Sequence, residues 1–122
     1  MTEFELESLL TEMGLAAVES FGMYVTVTVA YLVAAFVTGK KLTKTQIFIV
    51  NTLFIISAVI MTVATVGYIT RGIPIADALE VIHPDRWYAM QPPVRAAVIT
   101  LESLGILASL KFMWDVRHSE AK

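Results

Sequence analysis

Three long apolar runs, separated by short polar segments, dominate the chain. The first covers about residues 16–38 and stops at Gly39-Lys40-Lys41. The second covers about residues 47–70 and stops at Arg71-Gly72, and the third covers about residues 94–114 and stops at Asp115. Crossing about 30 Å of hydrocarbon takes about 20 mostly apolar residues in an α-helix. None of the runs has the polar face that a helix on a water-soluble bundle keeps toward solvent. The pattern therefore predicts an all-α membrane protein with three transmembrane helices, forming a single integral membrane domain over residues 1–122.

The segments outside the runs are also patterned. Thr2 and Glu5 have the spacing of a capping box. Phe4, Leu6, Leu9, Leu10 and Met13 then alternate with Glu3, Glu5, Glu7 and Glu12, which predicts an amphipathic helical lead-in to the first span. Gly14 offers a bend between the two. An interfacial helix that binds anionic lipid is normally rich in Lys and Arg, and this one is acidic. In the second connection, Pro74 suits the first turn of a short helix to about residue 82. Ile75, Leu79 and Ile82 recur at helical spacing there, as expected of a helix lying at the membrane surface. His83-Pro84-Asp85-Arg86 reads as a turn. Trp87, Tyr88 and Trp114 suit the headgroup level, and Pro92-Pro93 opens the third span.

Polar and small residues inside the runs are the candidates for contact or chemistry. Gly22, Thr26, Ala30, Ala34 and Thr38 recur every four residues, a spacing that lets two helix backbones approach closely. This helix-interface stripe fits either a contact within the chain or one with another chain. In the second run, Asn51, Ala58, Thr62 and Thr65 form a polar stripe suited to hydrogen bonds between helices. In the third, Arg95, Glu102 and Ser109 are seven residues apart, with Gly105 on the same face. Glu102 sits about 12 Å into its span at 1.5 Å per residue. A charge at that depth costs on the order of 3 kcal/mol or more, so Glu102 needs a partner. Candidates are a hydroxyl of the second span, Arg71, or a group on another chain. Glu19 lies near the end of its span and reaches the headgroup zone.

Composition agrees with the membrane reading: 57% of residues are hydrophobic and 16% charged, where soluble domains carry about 25% charged residues. Mean hydropathy is +0.70. The net charge of −2 gives no basic excess for nucleic acid. Lys40, Lys41 and Lys44 fill the first connection, and Lys111, Arg117 and Lys122 the C-terminal end. The N-terminal segment has no Lys or Arg, which also argues against a signal peptide. By the positive-inside rule the N-terminus is expected outside and the C-terminus inside. Arg71, Arg86 and Arg95 in the second connection, offset by Asp77, Glu80 and Asp85, run against that orientation.

Catalytic and cofactor chemistry leaves no mark. There are no cysteines, and the two histidines, His83 and His118, fall on opposite sides of the expected topology. Catalytic, cofactor and metal sites are accordingly not expected. No glycine-rich phosphate loop, H-E-x-x-H or G-x-S-x-G occurs. Lys111 is the only lysine within a span and can snorkel to the interface. The expected function is non-enzymatic: helix–helix assembly with itself or with other membrane subunits, most simply in a bacterial inner membrane. The alternative is a small oligomeric channel or holin-like pore with Glu102 on the polar path. Three spans, an outside N-terminus and a short basic inner tail are similar to some phage holins, in topology alone.

Overall fold

Helix α1 begins where the Thr2 hydroxyl accepts a hydrogen bond from the Glu5 N–H at 3.1 Å. In the computed structural model, which describes residues 2–119, α1 then runs without a break over Glu3–Thr38. A single 3-10 turn, Gly39–Lys41, reverses the chain. Helix α2 spans Lys44–Ile82 and α3 spans Pro92–His118. The start of α2 is set by a full capping box: the Gln46 N–H donates to the Thr43 hydroxyl and the Thr43 N–H donates to the Gln46 side chain. Pro92 and Pro93 occupy the first turn of α3, where a missing N–H costs nothing. No strand occurs among the described residues.

All three helices are long and apolar enough to cross a membrane. At 1.5 Å per residue, α1 and α2 are about 54 and 58 Å long, well beyond the thickness of the hydrocarbon. Large apolar side chains on their outer faces, such as Phe36 and Phe48 at 76% and 70% exposure, have no cover within the chain. So much exposed apolar surface is costly in water and ordinary in lipid.

Continuity extends the first span through the acidic segment and removes the separate helix expected after Pro74. The acidic lead-in is the first three turns of α1, with no break at Gly14. The stretch after Pro74 is the end of α2 and not a separate helix. Pro74 removes one backbone hydrogen bond, a defect that costs about 3 kcal/mol in a helix interior. Packing of the turns beyond it compensates, because Ala76 and Leu79 are buried. Leu10 and Met13 pack in the same cluster as Ala76.

The core lies in two layers. One contains Tyr24, Tyr31 and Ala35 of α1, Phe54 and Ala58 of α2, and Met113 of α3. The Tyr31 and Phe54 rings stack at 4.0 Å between centroids. The other contains Ala17, Ile69, Ala76 and Met90. Large rings thus fill gaps left by alanines on the facing helices, the interdigitation that close packing requires.

Candidate functional site

The small-residue stripe of α1 is not part of this core. Gly22, Thr26, Ala30 and Ala34 are exposed and Thr38 is half-buried. The face that α1 turns inward is the neighbouring one, carrying Ala17, Ser20, Tyr24, Tyr31 and Ala35. Thr26 and Thr38 donate to carbonyls one turn back, at Gly22 and Ala34, so their hydroxyls are satisfied within α1. The stripe is left smooth, short in side chain and without a partner among the described residues.

The stripe of α3 does face inward. Glu102 is fully buried (0% exposed) and Ser109 nearly so, while Arg95 at its start is half-buried. Arg95 donates to the Thr70 hydroxyl at 3.4 Å, a long and weak contact. Arg71 lies 5.7 Å from the centre of the Tyr68 ring and is occupied there. Neither arginine pairs with Glu102.

Around Glu102 the three helices build a polar layer. The Tyr24 hydroxyl donates to the backbone carbonyl of Glu102 at 2.7 Å. It can do so because residue 105 is glycine: a Cβ there would stand 2.1 Å from the Tyr24 oxygen. Thr62, the neighbouring hydroxyl on α2, gives its proton to the Ala58 carbonyl at 2.9 Å. The two carboxyl oxygens of Glu102 therefore have no hydrogen-bond partner among the described residues, and the buried Thr28 hydroxyl has none either. A charge on such a carboxyl would be uncompensated, which favours the neutral, protonated acid unless a donor reaches it from elsewhere. One layer away, the Tyr31 hydroxyl donates to Asn51 Oδ1 at 2.6 Å. Asn51 thus does structural work between α1 and α2, and Ser109 lies buried on the α3 side of the same core.

The two ends of the bundle carry opposite charge. At one end Glu3 pairs with His83, and Glu7 accepts from Arg86 Nη1 at 2.9 Å. The ligand atoms of Glu3, Glu7 and His83 lie within 4.8 Å of one another. These three could hold a metal ion in principle, but Arg86 already neutralises Glu7. The sequence signal for this grouping was slight: Glu3 and Glu7 share a helix face, but only the antiparallel register of α1 and α2 brings His83 to them.

At the other end sit Lys40, Lys41, Lys44, Arg117 and His118; Lys122 falls outside the described residues. Arg117 Nη1 donates to the carbonyls of Gly39 and Leu42, both at 2.8 Å, and so ties α3 to the turn between α1 and α2. The His118 and Trp114 rings stack at 3.7 Å. Between α2 and α3 at this end lies a pocket of about 500 Å³. A second pocket, of about 450 Å³ and lined by apolar residues apart from Thr65, lies near the acidic end, with walls that include Ala17, Phe21, Met90 and Val98. Comparison of the chain with family models, with curated proteins and with solved structures finds no match.

Proposed function

We propose that this chain is a small, non-enzymatic integral membrane protein that works by helix–helix assembly, as a homo-oligomer or as an accessory subunit of a membrane complex. The observation that carries the reading is the exposure of Gly22, Thr26, Ala30 and Ala34 on one unbroken face of α1. Small residues in a lipid-facing row make a poor lipid contact and a good helix contact, because van der Waals packing between close backbones drives association where no hydrophobic force exists. The placement we propose is a bacterial inner membrane, with the N-terminus outside and the basic C-terminal end inside. The first turns of α1 and the last turns of α2 then project past the outer surface as a helical pair. The pore alternative is less well supported, since Glu102, Asn51 and Thr62 point into one bundle and not onto a face that several copies could share.

The test is Ala30→Leu with Ala34→Leu, followed by native mass spectrometry from nanodiscs. The expected outcome is loss of the oligomer or partner complex with unchanged helix content. An assembly of unchanged mass would overturn this assignment of the face.

A further inference from the structure

The pocket at the basic end joins charged and apolar walls. Lys44 opens α2 and Arg117 stands at the end of α3 beside His118, so the mouth is cationic, and no acidic residue among the described ones lines the pocket. Ile47, Ile55 and Leu110 supply apolar wall, and Asn51 lies on α2 between Ile47 and Ile55. From Lys44 to Ile55 the pocket follows α2 for about 16 Å at 1.5 Å per residue. Lys44 has no ion-pair partner among the described residues. Arg117 spends only Nη1 on the turn carbonyls, and the other nitrogens of its guanidinium remain as donors.

We infer that this pocket binds one anionic phospholipid, with the phosphate at Lys44, Arg117 and His118 and one acyl chain along Ile47, Ile55 and Leu110. The combination of chemistry decides the occupant. A free anion has no use for the apolar wall, and an uncharged apolar molecule has none for the Lys44 and Arg117 cations. A phospholipid presents both an anionic headgroup and hydrocarbon. The amide N–H groups of Asn51, whose oxygen is already bonded to Tyr31, are left as donors in the pocket. Basic pockets between membrane helices draw on the same attraction to anionic headgroups. The apolar pocket near the acidic end lacks a cationic mouth and has nothing with which to select a headgroup. The inference requires only that the helices cross a bilayer; it does not depend on assembly through α1.

The experiment uses the full chain in nanodiscs containing equal amounts of phosphatidylglycerol and phosphatidylcholine with identical acyl chains. Native mass spectrometry then identifies the lipid retained on ejection. One phosphatidylglycerol per chain is expected. Lys44→Gln should weaken retention about fivefold, the share of one lysine near an anionic surface. Lys41→Gln, outside the pocket, should leave retention unchanged, and glycerol phosphate without acyl chains should not displace the lipid. Equal retention of phosphatidylcholine would overturn the inference. So would an unchanged Lys44→Gln protein, an equal loss in Lys41→Gln, or displacement by glycerol phosphate.

Discussion

The two ends of this bundle handle charge in opposite ways. At the acidic end, Glu3 and Glu7 of α1 meet His83 and Arg86 across the antiparallel helix pair, so those two side chains are taken up inside the chain. At the basic end, Arg117 serves backbone carbonyls, and Lys40, Lys41 and Lys44 have no acidic partner among the described residues. The one exception, Lys111 with Asp115, is a pair within a single helix turn. His83 and Arg86 are thus occupied by glutamates, whereas the lysines of the other end stay available to an anionic headgroup. Each end also has its own tie that can be tested: buried Leu79 at the first, and the Arg117 hydrogen bonds to a turn at the second.

That contrast can be broken most directly at Leu79, which is fully buried near the end of α2. Leu79→Ala should cost about 2–5 kcal/mol of local stability. Amide hydrogen exchange should speed up over residues 3–13 and 74–82 while the turn at Gly39–Lys41 keeps its protection. Equal acceleration at both ends would show that they unfold as one unit. A smaller effect is expected at the opposite end. Arg117→Gln removes a charged donor from two carbonyls and should cost about 1.5–3 kcal/mol, the usual worth of hydrogen bonds to charged groups. Faster exchange should then be confined to the Gly39–Lys41 turn and the last turns of α3; protection unchanged there would mean the contact contributes nothing. The smallest effect belongs to Glu7→Gln. Its pair with Arg86 is exposed on both sides, and such pairs contribute little. A melting temperature indistinguishable from that of the unaltered protein is expected, and a clear drop would raise the ion pairs above Leu79 in importance.

Much of this architecture is legible in the sequence because hydrocarbon thickness sets helix length. The three apolar runs and the prolines at 92 and 93 locate the helices directly. Thr43 and Gln46 encode the start of α2 three residues before the apolar run, a local signal that hydropathy alone passes over. The direction in which each helix faces is much less legible. In α1 and α2 lipid-facing and protein-facing positions are equally apolar, so periodicity does not tell them apart. The every-fourth small residues suggested a contact face, yet within the chain that role goes to Tyr24, Tyr31 and Ala35. Rings paired with alanines give more contact area than small residues alone. Glu102 was legible as a buried acid, but its lack of a partner was not, because that depends on Thr62 being committed to Ala58.

Gly105 has a mechanical meaning for how the third helix seats. The Tyr24 hydroxyl occupies the space a side chain would take, and one turn either way along α3 it would meet Leu101 or Ser109. The missing side chain is a notch and the tyrosine a pawl. A smooth apolar helix in lipid can slide past its neighbours at little cost; this one clicks into a single axial position, and the depth of Glu102 in the bundle is fixed with it.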